Sequence, residues 1–204
     1  MEDNILMEFT IRAYQSSDLA AVSRVCLGTG DNGRDATSLY KDPDLLGSYF
    51  TSPYVVFEPD LGFVLVHDAV PCGYVLGTRD TVTFCERCER EWFPALRAHY
   101  PLPDVSDMSP DAAMIRMIHA GREKSEVATR YPAHLHLDLL PIAQGQGWGP
   151  KMMRVFIDRL QSLQIPGVHL SVGKANHRAI GFYQKMGFQR IDEEHQSLIM
   201  GRLL

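Results

Sequence analysis

His134-Leu135-His136-Leu137-Asp138-Leu139-Leu140-Pro141-Ile142-Ala143-Gln144-Gly145-Gln146-Gly147-Trp148-Gly149-Pro150 runs from an apolar strand through a glycine-rich turn into a helix. The span 134–140 reads as a buried strand, and 141–149 as the loop. Pro150 opens a helix whose apolar positions are Met152, Met153, Phe156, Ile157, Leu160 and Leu163. Pro166-Gly167 ends that helix, and Val168-His169-Leu170-Ser171-Val172 is a second buried strand. Strand, loop, helix and strand at this length form a βαβ unit: two parallel strands with a right-handed crossover.

The loop has its own chemistry. Gly145, Gly147 and Gly149 lie within the six residues 144–149, between a strand end and a helix start. Without Cβ atoms the backbone can curl around a ligand and turn several N–H groups inward. The positive end of the helix dipole adds to them, so the site suits phosphate oxygens. Taken alone, the glycines fit a tight turn needing positive φ equally well. No Gly-Lys-Ser/Thr follows, so this is not a P-loop, and the spacing is not Gly-x-Gly-x-x-Gly.

Working outward, Phe9-Thr10-Ile11-Arg12 alternates as an edge strand, and Ser16-Ser17-Asp18 offers capping groups. Leu19, Val22, Val25 and Cys26 recur at helical spacing, and Gly28 stops that helix. Residues 28–53 are polar and turn-rich, with helical character near 39–50. Strands over 62–67 and 72–77 are joined by a turn at 68–71. Phe84, Cys88, Trp92 and Leu96 make a helical stripe that Pro94 must kink or divide. Ser109-Pro110 starts another helix. A short helix over 176–186 is closed by Gly187, and strands over 188–192 and 197–203 complete the chain.

The 204 residues include 20 basic and 25 acidic side chains, a formal net charge of −5, and 45% hydrophobic residues. These are proportions of a globular protein, and the length predicts one domain over 1–204. The acidic balance excludes broad electrostatic binding to nucleic acid or anionic lipid, so neither nucleic-acid nor membrane partners are expected. No run approaches the ~20 apolar residues that cross a bilayer. Met1-Glu2-Asp3-Asn4 lacks the basic and apolar regions of an export signal, which predicts a cytoplasmic protein with Cys26, Cys72, Cys85 and Cys88 reduced.

Gln144-x-x-Gly147-x-Gly149, preceded by Leu139-Leu140-Pro141, is followed by Asn176-x-x-Ala179-Ile180-x-Phe182-Tyr183-x-Lys185-x-Gly187-Phe188. Together these resemble the two signature motifs of the Gcn5-related N-acetyltransferase (GNAT) superfamily: its pyrophosphate-binding loop and the helix flanking the acyl-CoA thioester. The likeness runs from about residue 8 to 204. The middle, from Phe84-Cys85-Glu86-Arg87-Cys88 to Tyr131-Pro132-Ala133-His134, resembles a bacterial branch similar to the C-terminal acetyltransferase-like domain of O-GlcNAcase. The eukaryotic domain of that branch is regarded as a pseudo-acetyltransferase that has lost much of the loop, whereas the loop here is intact.

The resemblance implies an α/β (α+β) GNAT fold: a twisted mixed sheet of about seven strands, splayed between two parallel strands and flanked by helices, with a helical insertion at about 81–132. The strand containing Leu139 would carry a bulge at the splay. It further implies acetyl-CoA as co-substrate, with the pantetheine arm bonded to main-chain groups from Leu139 and Leu140 to Ile142. The pyrophosphate would lie on Gln144, Gly145, Gln146, Gly147, Trp148 and Gly149, with Pro150 opening the helix behind it. Asn176, Ala179, Phe182, Tyr183 and Lys185 would line the thioester side, and an N–H near Leu139 or Leu140 would polarise the carbonyl.

Direct acetyl transfer to an amine needs a base for the ammonium proton and an acid for the departing thiolate. Tyr183 stands where this family places its acid. His134, His136 and Asp138 alternate with leucines and so share one strand face. Asp138 is the first candidate base and His136 the second. The expected activity is acetyl-CoA-dependent N-acetylation of a primary amine on an unidentified acceptor, by a monomer or homodimer. The alternative is an acetyl-CoA-binding pseudo-acetyltransferase with little or no activity. A zinc hydrolase built on His134, His136 and Asp138 ranks third, because Leu139 stands where a further histidine ligand belongs; no metal site is expected. Cys85-x-x-Cys88 has no second Cys-x-x-Cys and falls in a helix, where the pair are packing neighbours. The acceptor wall would come from 28–53 and 81–132, which carry no readable motif.

Overall fold

The computed structural model describes residues 8–122 and 126–204. Seven strands form one sheet: β1 (Phe9–Ala13), β2 (Phe63–His67), β3 (Val70–Thr78), β4 (Ala133–Leu139), β5 (Gly167–Gly173), β6 (Gln189–Glu193) and β7 (Ser197–Leu203). Their order is β1-β2-β3-β4-β5-β7-β6. Each neighbouring pair is antiparallel except β4 and β5, the parallel pair that the βαβ reading requires. The crossover between them is α7 (Trp148–Ser162).

Side-chain alternation divides the core between the two sheet faces. On β3, Tyr74 and Leu76 join one cluster, which is covered by α1 (Leu19–Leu27), α2 (Leu45–Phe50) and α3 (Ser52–Phe57). The helices of the 81–132 segment extend the same layer: α4 (Thr81–Arg87), α5 (Phe93–His99) and α6 (Pro110–Ala120). Val75 of β3 faces the other cluster, beneath Met152, Met153, Phe156 and Leu160 of α7. Phe156 has no exposed surface, which at the usual scale stabilises the fold by about 1.5–3 kcal/mol. The remaining helix, α8 (His177–Lys185), lies between β5 and β6 in the chain.

Local chemistry explains most element ends. Ser109 Oγ accepts from the Ala112 N–H and starts α6, and Asn176 does the same for Ala179 at α8. Asp18 acts differently from a simple cap: its carboxylate accepts from the Gln15 N–H at 2.8 Å and pairs with Arg12 at 2.6 Å, tying α1 to β1. The stripe through 84–96 is divided by a π-turn at Cys88–Trp92. Pro94 has no N–H to donate and its ring crowds the preceding turn, and the wider turn relieves both.

Several expectations need correction. The β2–β3 turn is two residues, Asp68 and Ala69, both at positive φ, rather than four. Gly28 has φ −67°, so it ends α1 without left-handed geometry; a Cβ there would meet Leu140 Cδ2 at 3.0 Å. Helix α7 begins at Trp148, two residues ahead of Pro150, because Gly147 supplies the left-handed entry. Gly167 belongs to β5; the chain leaves α7 through Gln164, at φ 58°. The β3–β4 register is unbroken from Thr78↔His134 to Gly73↔Leu139, so no bulge at Leu139 accompanies the splay.

Candidate active site

Strands β4 and β5 have seven residues each, yet they pair only at Ala133↔Val168 and His134↔His169. Beyond His134 they diverge, and the opening is a cavity of about 690 Å³, within the ~300–1,000 Å³ typical of ligand sites. The Leu140 N–H donates to Cys72 O at 2.8 Å across the β3 side. Antiparallel alternation therefore turns the peptide groups of Leu137 and Leu139 to the other edge, into the opening. Because the Leu140 N–H is already committed, Leu137 and Leu139 are the available donors.

The loop is built to present N–H groups. Gly145 and Gly147 have φ of 75° and 81°, and a Cβ on either would stand in open space. Only the left-handed backbone demands glycine there. Among the described residues no side chain caps the first turn of α7, so its N–H groups and dipole are left to the cavity that Gly147 and Gly149 line. Gln144 is clamped: its Nε2 donates to Leu139 O at 2.7 Å, and its Oε1 accepts from Arg178 at 2.6 Å. Arg178 and Arg34 both line the cavity. A dipole terminus, a hollow of unhindered glycines and two guanidinium groups fit a phosphate-bearing ligand.

Of the residues expected around acetyl-CoA, Leu139, Gln144, Gly145, Gly147, Gly149 and Pro150 line this cavity from the β4–α7 side. Asn176, Ala179, Phe182 and Tyr183 line it from α8. Leu140, Ile142, Gln146, Trp148 and Lys185 do not. The Leu140 side chain packs into the core, and Ile142 is half exposed. Gln146 turns back to donate to Ile142 O at 2.6 Å. The Trp148 ring lies 5.3 Å from that of Phe9, with Lys151 Nζ 3.9 Å from its centroid. Lys185 is exposed on α8.

The three polar residues of β4 separate into two roles. His134 is a strut: Nε2 bonds the Tyr54 hydroxyl and Nδ1 the Thr81 hydroxyl, each at 2.8 Å, joining β4 to α3 and α4. Burial, with His169 nearby, pushes its pKa well below the ordinary histidine value. His136 and Asp138 instead line the cavity. The Tyr74 hydroxyl donates to Asp138 Oδ2 at 2.5 Å and lies 2.9 Å from His136 Nδ1. Burial lowers the His136 pKa, the Asp138 charge opposes that shift, and Arg122 reinforces it. Tyr183, across the cavity on α8, is held protonated by burial and by the negative charge of Asp138.

Sequence reading missed Tyr74, whose only signal is a polar tip in an otherwise apolar strand. It also missed Thr29, Asn32 and Arg34 from the turn-rich segment, Ser171 and Gly173 from the far strand, and Arg178. Cys85 and Cys88 are both buried in the helical layer, and burial pushes the Cys88 thiol up to about 11. Among the described residues no three His, Cys, Asp or Glu side chains converge on a metal position, and no helix is long and apolar enough to cross a membrane.

Comparison with known proteins agrees with this geometry. Residues 112–188 match the model of the acetyltransferase (GNAT) family. Over 184 residues the chain is 26% identical to protein O-GlcNAcase of Rattus norvegicus, a match that takes in 88% of this chain and 20% of that protein. The chain thus spans about a fifth of the length of the curated relatives it matches. The crystal structure of SsHAT superposes with a TM-score of 0.91 at 37% identity, covering 96% of this chain and 98% of that one. A PaiA N-acetyltransferase from Thermoplasma acidophilum, in complex with coenzyme A, shares the fold at 15% identity and a TM-score of 0.56, covering 97% of this chain and all of that one. The seven-stranded sheet open between its two parallel strands, the glycine loop at that opening and these matches place the chain in the GNAT acetyltransferase family.

Proposed function

We propose that the protein transfers an acetyl group from acetyl-CoA directly to a primary amine within a ternary complex. The observation that carries this reading is that one cavity, at the β4–β5 divergence, joins the glycine loop to His136, Asp138 and Tyr183. The coenzyme A bound to the Thermoplasma acidophilum protein supports it at the level of the fold. In this reading the loop from Gln144 to Gly149 and the α7 terminus hold the pyrophosphate. The open peptide edge of Leu137 and Leu139 receives the pantetheine arm and the thioester carbonyl. When bound, acetyl-CoA supplies the activated acetyl group.

The protein's own residues then manage protons. The pair His136 and Asp138 takes one proton from the acceptor ammonium, so that the nitrogen lone pair is free to attack. Tyr183 gives its phenolic proton to the departing thiolate and regains one from the acylated nitrogen. The sum consumes an ammonium and a thioester and yields an amide, a thiol and one solvated proton. Burial raises the pKa of Tyr183 and disfavours a thiolate in the same dry site, so burial raises the proton affinity of both groups.

The test is a calorimetric titration of the purified protein with acetyl-CoA, free CoA and pantetheine, followed by an amine library assayed for CoA release. Binding to acetyl-CoA and CoA but not to pantetheine, together with amine-dependent CoA release, supports the reading. No binding to acetyl-CoA by the folded protein overturns it. Tight binding with no amine-dependent release moves the protein to the non-catalytic alternative.

A further inference from the structure

The hydroxyl of Tyr74 has one proton to give, and beside the Cys26 thiol it meets two side chains able to accept it, Asp138 and His136. Asp138 Oδ2 is 2.5 Å away and His136 Nδ1 is 2.9 Å away. Tyr74 has no exposed surface, so no bulk water substitutes for either partner. A carboxylate can only accept, so the phenolic proton belongs to Asp138. Nδ1 of His136 must then be the donor of the second bond, and in a neutral imidazole the lone pair is left on Nε2. Among the described residues no group bonds to Nε2, and His136 borders the cavity with 32% of its side-chain surface exposed.

We infer that Tyr74 is a positioning residue that fixes the His136 proton on Nδ1, making Nε2 of His136 the atom that deprotonates the acceptor amine and Asp138 the anion that anchors the chain of bonds. This inference rests on the transferase reading and deepens it, by assigning separate roles to two side chains that the sequence leaves competing for one. Direct contact between them is the poorer arrangement: Nδ1 and Oδ2 are 3.5 Å apart, beyond a good hydrogen bond. The imidazole plane is also held by its neighbours. Phe50 of α2 stacks with it at 5.6 Å and 14°, and the Tyr74 ring with it at 5.7 Å and 21°.

The step balances without moving a proton through Tyr74. An ammonium N–H bond breaks, its electron pair stays on the amine nitrogen, and the proton joins Nε2. The imidazolium keeps its Nδ1–H on the Tyr74 oxygen, and Tyr74 keeps its O–H on Asp138. The charged and titratable groups facing this unit are Asp138 and His134 on the same strand, Arg122 beyond α6, Cys26 of α1 against Tyr74, and Tyr183 of α8. Asp138 is the one carboxyl group among them, and it is the group the Tyr74 hydroxyl engages.

The decisive readout is the tautomer of His136, taken from long-range proton–nitrogen correlations of 15N-histidine protein near pH ~8, above the ordinary histidine range. The wild type is expected in the Nδ1–H form, and Tyr74→Phe, which keeps the ring and removes the hydroxyl, is expected to shift the population towards Nε2–H. A wild type in the Nε2–H form overturns the inference, and that result needs no variant to fold. A Tyr74→Phe protein that binds acetyl-CoA normally and keeps the wild-type tautomer overturns it too. With the best amine, Tyr74→Phe is expected to lower turnover by about 10²-fold while acetyl-CoA affinity stays within about twofold. Failure of the transferase reading is a separate observation: no CoA release by the wild type with any amine, whatever the tautomer.

Discussion

Substituting Gly147 separates what the loop needs as backbone from what it needs as space. Gly147 is at φ 81° and ψ 6°, at the entry to α7. An L-residue in that conformation costs about 1–2 kcal/mol. A Cβ there meets nothing within 4 Å, so no packing penalty is added. Gly147→Ala should therefore lower the melting temperature by about 2–8 °C for a chain of this size. The new methyl occupies the hollow in which the pyrophosphate is proposed to lie. Losing one charge-assisted hydrogen bond, worth about 1.5–3 kcal/mol, weakens binding by about 10- to 150-fold. Gly147→Trp fills the hollow and should abolish binding. The control is Gly187→Ala, at φ 85°, where the nearest atom to a new Cβ is Arg202 Cδ at 3.7 Å and the cavity is not involved. It should show a similar thermal loss with unchanged affinity. Calorimetry with acetyl-CoA and CoA reads all three variants, and both ligands should weaken equally because the acetyl group lies at the far end. Wild-type affinity in Gly147→Trp, or an equal loss in Gly187→Ala, would refute the phosphate cradle.

Tyr183→Phe should lower turnover by about 10²-fold or more and leave acetyl-CoA affinity nearly unchanged in the same titration; undiminished turnover removes Tyr183 from the mechanism. The pH profile of kcat/KM should rise through a midpoint below the ordinary histidine value of ~6.5, because burial lowers His136 and the base must be unprotonated. Asp138→Asn removes the charge that opposes that shift, so the limb should move further to acid; a limb centred above about pH 7.5 in the wild type contradicts His136 as the base. Stability should fall on acidification below about pH 6.5. His134 and His169 are held neutral by burial, so the unfolded chain takes up their protons first. Each contributes a slope of up to about 1.4 kcal/mol per pH unit in urea unfolding, and equal stability at about pH 7.5 and 5.5 would refute this.

The βαβ core was legible because its signals are local. An apolar strand, a glycine turn and a 15-residue helix with a clear apolar face follow one another with no other segment between them. The hairpin of β2 and β3 and the closing strands were legible for the same reason. Element ends were less so, since proline and glycine mark several kinds of boundary. Pro150 reads as a helix start, but Gly147 sets the start by its φ. The Leu139 bulge was expected from family likeness alone, and the continuous β3–β4 register shows that the strands can part without one.

The site was half legible, and the division follows chain distance. The phosphate end is a contiguous loop, so its residues announce themselves together. The proton-handling end is assembled across strands: Tyr74 meets His136 and Asp138 from 62 and 64 residues away. On β4 the alternating pattern told that His134, His136 and Asp138 share a face, but not that the cavity begins beyond His134. That boundary is set where β4 stops pairing with β5, at His134↔His169. On the paired side of it a histidine has Tyr54 and Thr81 as partners and becomes a strut. On the open side one ring nitrogen of His136 has no partner among the described residues, and the side chain lines the cavity. The divergence of two strands thus converts one repeated sequence pattern into a structural residue and a candidate base, two residues apart.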